Sequence, residues 1–215
     1  ESLRAHGSMG RRASWTRAVE LLAEVGIPDP RRRARQYPHE LSGGMRQRVM
    51  IAAAIACEPG LLIADEPTTA LDVTVQAQIL ELLQRIQAEH GTALLLITHD
   101  LGVVASTCHR VAVMYAGRIV EEAPVRLLFE KPLHPYTRGL LASIPKLEGG
   151  LREGLRLEAI PGVVPAPGEK PPGCAFGPRC PLVRESCRQE EPELISLAGG
   201  LRRVRCPVTI EEAPP

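Results

Sequence analysis

Two short apolar segments, each followed by polar or charged residues, most constrain the fold of this 215-residue chain. The first is Leu-Leu-Ile-Ala-Asp-Glu at 61–66, and the second begins at Ala93 and ends in Thr-His-Asp at 98–100. Runs of this length and composition are typical of buried strands. The segment between them, 73–90, carries apolar residues at helical spacing. A strand, a helix and a second strand predict an α/β fold with a mainly parallel sheet covered by helices.

Weaker patterns predict the remaining elements. Apolar periodicity favours helices over 14–25, with Ser14 as the cap, and over 42–57, while Ala116-Gly117 marks a hairpin between strands 110–115 and 118–122. A proline-started helix is expected at 134–137. Proline then becomes frequent, with 8 residues in 1–144 and 12 in 145–215. The last part should therefore consist mostly of turns and extended segments.

Composition excludes several classes of protein. The 26 basic and 25 acidic residues give a formal net charge of +1, which indicates no nucleic-acid partner. A hydrophobic fraction of 44% argues against global disorder. We find no run of about 18 apolar residues and no apolar block in residues 1–20, so neither a membrane span nor a signal peptide is predicted.

Candidate chemistry lies where the two strands end. The carboxyl ends of parallel strands are where α/β sheets bind ligands, and Asp65-Glu66 could there hold Mg²⁺ and activate water. Upstream, Ser42-Gly43-Gly44 opens a predicted helix and exposes backbone N–H groups to an anion. Taken separately, each motif is weak, and Asp65-Glu66 could be only a polar strand end. Their occurrence together, in this order, is far more specific.

These motifs resemble those of the ATP-hydrolysing subunits of ABC transporters. The resemblance rests on LSGGM at 41–45 (signature), LLIADE at 61–66 (Walker B), TALD at 69–72 (D-loop) and His99 (switch histidine). Three further segments resemble oligopeptide/dipeptide importers: MYAGRIVE at 114–121, HPYTRGLL at 134–141 and GCAFGPRC at 173–180. The implied fold is a P-loop NTPase-like ABC ATPase core with a helical subdomain and an irregular cysteine-rich C-terminal extension.

The resemblance implies three catalytic roles. Asp65 would order Mg²⁺ through water, Glu66 would polarise the water that attacks ATP, and His99 would contact the γ-phosphate. The expected ligands are therefore ATP and Mg²⁺.

The resemblance also implies a nucleotide contact across a head-to-tail dimer. Ser42, Gly43 and Gly44, with Gln47 nearby, would clamp the nucleotide that the opposite subunit holds. Asp72 would lie in the loop that crosses this interface. Expected partners are a second ABC ATPase subunit, transmembrane permease subunits and, indirectly, an extracytoplasmic solute-binding protein. The chain would then lie peripherally on the cytoplasmic face of the inner membrane and drive uptake of peptides or related small solutes.

One family motif is missing from the 215 residues. A P-loop requires Gly-Lys-Ser/Thr, and all three lysines of the chain follow the signature. The chain therefore resembles the C-terminal two-thirds of an importer ATPase. We expect a helical subdomain with the signature at 1–58, part of the α/β core at 59–122 and the importer extension at 123–215.

Four cysteines, Cys174, Cys180, Cys187 and Cys206, lie close together in the proline-rich tail. Their intervals of 5, 6 and 18 residues do not match the short pairs of a zinc ribbon. A segment that cannot bury a core of its own would be ordered by a metal bound to four thiolates. Family resemblance favours a [4Fe–4S] cluster, and zinc or free thiols remain the alternatives.

Two other functions remain open from the sequence. One is an ABC ATPase with a task other than transport, against which the HPYT segment and cysteine tail argue. The other is a non-catalytic metal-binding or regulatory fragment, which the missing P-loop favours.

Overall fold

The computed structural model describes residues 1–7, 9–144, 159–166 and 168–212. The chain divides into two compact units, residues 1–100 and residues 101–215. Parts of the extension predicted at 123–215 lie outside the described residues. The division into three parts at residues 58 and 122 stays a prediction. Within the described residues, no helix combines the length and apolar character that a membrane crossing requires.

The described residues of the first unit form five α-helices, a 3₁₀ helix at Pro38–Glu40 and two strands. In chain order the α-helices and strands are α1 (Ser2–Ala5), α2 (Arg11–Glu24), α3 (Pro30–Arg33), α4 (Gly43–Ile55), β1 (Leu61–Asp65), α5 (Val73–His90) and β2 (Ala93–Ile97). Strands β1 and β2 pair in parallel, with Leu61 opposite Ala93 and Asp65 opposite Ile97. The strand, helix and strand predicted at the centre of the sequence are confirmed.

Helix α5 is bounded and buried by its own sequence. The Asp72 carboxylate caps its start by accepting a hydrogen bond from the Val75 N–H at 2.9 Å. Gly91 ends it in the left-handed conformation, at φ 65°. Its apolar face consists of four buried residues, Ile79, Leu82, Leu83 and Ile86. This face packs with α2, α4 and the buried side of the sheet in one core.

The two faces of the parallel sheet differ. Leu62 and Ala64 lie in the core of the first unit. Alternate residues of the strands point the other way and are exposed, among them Ile63 (59%) and Leu95 (48%). Asp65 lies on this exposed face, at the end of β1.

One helix start differs from its prediction. Ser14 does not cap α2, because the helix begins at Arg11 with Gly10 as its N-cap. The Ser14 hydroxyl instead donates to the Gly10 carbonyl at 2.9 Å, from inside the helix. A serine can satisfy its hydroxyl either way, so the residue type alone does not distinguish a cap from a first-turn position.

The second unit contains helices and one antiparallel sheet. Its elements are α6 (Leu101–Thr107), β3 (Arg110–Tyr115), β4 (Arg118–Pro124), α7 (Val125–Glu130), α8 (Pro135–Ala142), α9 (Ser186–Gln189), β5 (Ile195–Leu197), β6 (Arg202–Val204) and α10 (Pro207–Glu212). The strand order is β3-β4-β6-β5. The predicted hairpin is present as β3 and β4, and the proline-started helix as α8.

The tail is more ordered than its proline content indicated. Strand β6 pairs with β4, placing Glu121 opposite Val204, and β5 extends the sheet. Gly177–Arg179 forms a short 3₁₀ helix in the part expected to consist mostly of turns and extended segments. Val204, Cys206 and Val208 are buried together with Cys187. The tail therefore buries a small core made mostly of its own residues and joins the hairpin through β6, so the expectation that it could not bury a core of its own is wrong.

A buried carboxylate fixes the tail to the hairpin. Glu121 on β4 is fully buried and accepts hydrogen bonds from the Leu133 and His134 N–H groups, both at 2.9 Å. Its charge is paired with Arg202 on β6, at 2.5 Å. Arg202 also donates to the Lys131 carbonyl. Burial lowers the pKa of the neighbouring His134 to about 4, so this imidazole is neutral at pH 7.

Candidate functional site

The ends of β1 and β2 meet, as the parallel arrangement requires. The Glu66 N–H donates to the Ile97 carbonyl at 2.9 Å, which continues the ladder one residue beyond β1. The chain then turns sharply, since Glu66 has φ +44°. That left-handed conformation is uncommon for a residue with a side chain. It directs the chain away from the sheet immediately after the two carboxylates.

Glu66 contacts two other residues near these strand ends. One carboxylate oxygen of Glu66, Oε1, lies 3.1 Å from His99 Nδ1. The other, Oε2, accepts a hydrogen bond from the Thr69 hydroxyl at 2.8 Å. The hydrogen bonds from Thr69 and His99 lower the pKa of Glu66, so the side chain is a carboxylate at neutral pH. Glu66 and His99 remain 45% and 80% exposed, so water and a ligand can reach both.

The residues after β2 are held by further hydrogen bonds. The Thr98 hydroxyl accepts from the Asp100 N–H at 3.0 Å. Gln76, in the first turn of α5, donates to an Asp100 carboxylate oxygen at 3.2 Å. Both contacts order the backbone on either side of His99.

The signature segment opens α4 as predicted. Ser42 is its N-cap, and the Ser42 hydroxyl accepts from the Met45 N–H at 3.3 Å. Ser42 and Gly43 are exposed, so the positive end of the α4 dipole faces solvent. Gln47 lies one turn further along and is partly buried.

This helix start packs against the loop that precedes α5. A Cβ atom on Gly43 would lie 3.6 Å from Leu71, an ordinary contact. One on Gly44 would lie only 2.8 Å from Val75 Cγ1. The signature and the Asp72 loop are thus adjacent. Within the described residues, no hydrogen bond or ion pair joins Ser42, Gly43 or Gly44 to Glu66 or His99.

The four tail cysteines surround one cavity. Cys174, Cys180, Cys187 and Cys206 all line a small, partly open cavity of about 20 Å³ in the second unit. The backbone brings two of them together, since the Cys174 N–H donates to the Cys187 carbonyl at 2.7 Å. A Cβ atom on Gly173 would lie 2.2 Å from that same carbonyl oxygen, so this approach requires glycine.

The four thiols are free, and burial raises the pKa of two of them. All four are unpaired by disulfides, and burial raises the pKa of Cys174 and Cys180. In the described part of the chain, no group of three or more His, Cys, Asp or Glu side chains converges on a single metal ion.

Comparisons with known proteins agree with the two groups of motifs found in the sequence, those of ABC ATPases and those of oligopeptide/dipeptide importers. Residues 1–69 match the family model described as ABC transporter, and residues 120–187 match the one described as oligopeptide/dipeptide transporter, C-terminal region. Residues 1–69 are thus similar to the ABC transporter family, and residues 120–187 to the C-terminal region of its oligopeptide/dipeptide transporters. The first matched range ends at residue 69, so it includes the signature and Asp65-Glu66 but not His99.

Individual relatives extend the similarity to nearly the whole chain. The dipeptide transport ATP-binding protein DppD of Haemophilus influenzae is 53% identical over 99% of this chain, and that of Escherichia coli is 50% identical over 99%. The chain covers 63% and 64% of these two relatives, and so spans about three fifths of their length. The solved structure of cbiO1 from Clostridium perfringens, part of an ABC transporter complex, matches with a TM-score of 0.52 and 31% identity. That match covers 60% of this chain and 51% of the other.

Two contacts of the structure were not predicted from the sequence. Thr69 was identified only as part of the TALD segment, although a threonine three residues after the glutamate, with Pro67 between, is a signal for a turn that returns to it. The Glu121–Arg202 pair gave no signal, because 81 residues separate its members.

Proposed function

We propose that this chain is the nucleotide-binding subunit of an ABC importer for peptides or related small solutes, in which ATP binding closes a dimer and hydrolysis reopens it. The observation that carries the proposal is the contact between Glu66 and His99 at the joined ends of β1 and β2. Two relatives at least 50% identical are named as dipeptide transport ATP-binding proteins, which supports the transport task.

Glu66 is suited to act on the attacking water. It is ionised and fixed by two donors, and a carboxylate has further lone pairs with which to accept a proton from water. Its neighbour His99 is exposed and can donate to a γ-phosphate oxygen. The pair would therefore place water and phosphate on adjacent groups.

Asp65 is suited to hold Mg²⁺. Its carboxylate is exposed at the end of β1, and Mg²⁺ prefers oxygen ligands while retaining several waters. A bound Mg²⁺ would neutralise charge on the phosphates. Asp65 itself would orient the waters around that ion.

Ser42, Gly43, Gly44, Gln47 and Asp72 are assigned to the nucleotide of the opposite subunit. Support comes from the exposed start of α4, where backbone N–H groups and the Ser42 hydroxyl can donate to an anion. The arrangement requires a second ATPase subunit in head-to-tail orientation. Permease subunits and, indirectly, a solute-binding protein complete the proposed importer, with this chain on the cytoplasmic face of the inner membrane.

We assign residues 1–58 to the helical subdomain, 59–122 to part of the ATPase core and 123–215 to the importer extension. The signature helix α4 falls in the first of these, and the cysteines fall in the last. The family match at 120–187 supports a boundary close to residue 122.

We expect the isolated chain to bind ATP no more tightly than roughly millimolar. Without a P-loop lysine, little offsets the triphosphate charge, and one helix terminus contributes about 1–2 kcal/mol. Calorimetry with Mg·ATP measures this. Joining a segment with a Gly-Lys-Ser/Thr loop upstream of residue 1 should restore binding and hydrolysis. Micromolar binding by the isolated chain, or an inactive but folded and ATP-binding fusion, would contradict the proposal.

Two alternatives make different predictions. An ABC ATPase of translation or DNA repair would co-purify with ribosomes or DNA rather than with permeases. A metal-binding or regulatory fragment would show no hydrolysis in the P-loop fusion, whatever its partner.

A second proposed role concerns the tail, where the four thiols would hold a [4Fe–4S] cluster. The favouring observation is that all four cysteines line one small cavity. Four thiolates can also ligate a single zinc ion, which stays the alternative. A cluster spreads its four thiolate ligands over several irons. The raised pKa of Cys174 and Cys180 means that binding must release their protons.

Anaerobically purified protein should therefore be brown, with broad visible absorbance that Cys180→Ser abolishes. Cys57→Ser, at an exposed cysteine of the first unit, serves as the matched control and should keep the colour. The first unit should stay folded in both variants, as circular dichroism and thermal unfolding can show. Colourless protein with stoichiometric zinc, or with no metal after anaerobic reconstitution with iron and sulfide, would contradict the cluster.

A further inference from the structure

Glu66 is held at both carboxylate oxygens, and only one of the two donors belongs to the proposed catalytic pair. His99 contacts Oε1 at 3.1 Å, whereas the hydroxyl on Oε2, at 2.8 Å, comes from Thr69. Thr69 is exposed and lies in the loop between β1 and α5. The glutamate is thus placed from two different segments of the chain.

A turn of the backbone brings Thr69 next to Glu66. The Thr69 N–H donates to the Glu66 carbonyl at 3.2 Å, which closes a tight turn over residues 66–69. Pro67 is the second residue of that turn, the position at which proline fixes the required φ. Because the turn is closed by its backbone, the hydroxyl is positioned before any ligand arrives.

The side chain of Glu66 needs such a restraint. It is 45% exposed, and its backbone has the left-handed φ of +44°. An exposed glutamate has three rotatable bonds and samples many rotamers unless it is fixed. With Thr69 on one oxygen and His99 on the other, the plane of the carboxylate is set, while its remaining lone pairs stay open to water.

We propose that Thr69 is a positioning residue, which orients the Glu66 carboxylate toward the attacking water through its hydroxyl. The hydroxyl acts on Glu66 and not on the nucleotide. This inference rests on the proposed ATPase function, since Glu66 must be the group that needs orientation.

The first test uses the full 215-residue chain without nucleotide. Three-bond couplings measured by NMR report whether the Glu66 side chain occupies one rotamer or several. Thr69→Val removes the hydroxyl at nearly constant shape, so Glu66 should become rotamer-averaged. Thr69→Ser retains the hydroxyl and should keep one rotamer. Thr68→Val makes the same change one residue earlier, where no contact with Glu66 exists in the described structure, and should leave the couplings unchanged.

The second test uses the fusion that carries a P-loop. Thr69→Val should lower kcat by roughly 10- to 100-fold, with KM for ATP and ATP-driven dimerisation unchanged. Thr69→Ser should recover most of the rate. A hydroxyl needed only for loop folding would instead alter binding and kcat together.

The outcomes separate this inference from the proposed function. If Glu66→Gln hydrolyses ATP normally, the catalytic assignment fails and the role of Thr69 with it. If Glu66→Gln is inactive but Thr69→Val behaves as the parent, only the positioning role is overturned. Equal loss in Thr69→Ser and Thr69→Val, or a loss in Thr68→Val of the same size, would overturn it as well.

Discussion

Glu66→Gln should reduce ATP hydrolysis by at least about 100-fold in the fusion that carries a P-loop. The amide keeps the shape of the side chain but loses the charge that orients and deprotonates water. Its oxygen can still accept from the Thr69 hydroxyl, and its NH2 group can donate to His99 Nδ1 in the accepting tautomer, so the local fold should persist. Steady-state phosphate release measures the effect.

Dimer closure should survive this substitution, because Glu66 acts on water rather than on the nucleotide. Light scattering with Mg·ATP should therefore show a stable dimer that no longer dissociates by turnover. Glu89→Gln, the same chemical change on the exposed side of α5, is the matched control and should leave the rate unchanged. Normal turnover by Glu66→Gln would reassign this glutamate to a structural role.

Arg202→Met should destabilise the second unit by about 3–5 kcal/mol. Glu121 is fully buried, and removal of Arg202, which is itself 7% exposed, leaves its charge without a partner. The Leu133 and His134 N–H groups remain as donors, but they do not neutralise the carboxylate. Urea unfolding followed by circular dichroism, with hydrogen exchange at the amides of β4 and β6, measures the loss.

The next residue of β6 supplies the control. Arg203 pairs with Glu122 at the surface, where both side chains are more exposed, so Arg203→Met should cost no more than about 1 kcal/mol. The double variant Glu121→Gln with Arg202→Met removes both charges and keeps a carboxamide oxygen for one of the two N–H donors. It should recover part of the loss. Equal stability of Arg202→Met and the parent would show that the pair does not hold the tail to the hairpin.

Much of the first unit could be predicted from its sequence, because local signals there agree with one another. The periodicity of residues 73–90, the Asp72 cap and the Gly91 stop all specify α5. Two apolar strands joined by one helix then determine a parallel pair whose ends coincide. The proximity of Glu66 and His99 follows from that geometry, even though 33 residues separate them.

The second unit could be predicted less well, since its tail is organised by distant partners. Strands β5 and β6 have three residues each, too few for an alternating pattern to be recognised. Their formation depends on β4 and on the Glu121–Arg202 pair across 81 residues. Proline content correctly indicated the abundance of turns but carried no information about which strand the tail would join.

The packing of Gly44 against Val75 affects how genetics on the signature should be interpreted. Glycine at this position serves two purposes. It leaves the backbone N–H groups accessible, and it avoids a clash, because a Cβ atom there would lie only 2.8 Å from a Val75 methyl group. Loss of function in Gly44→Ala would therefore not identify a nucleotide contact, since a shifted α4 has the same phenotype. Gly43, with ordinary clearance of 3.6 Å to Leu71, is the position at which an alanine reports on access alone. Conservation of Gly44 among relatives would be equally ambiguous, because a steric clash with Val75 and the loss of a nucleotide contact would both select against any other residue.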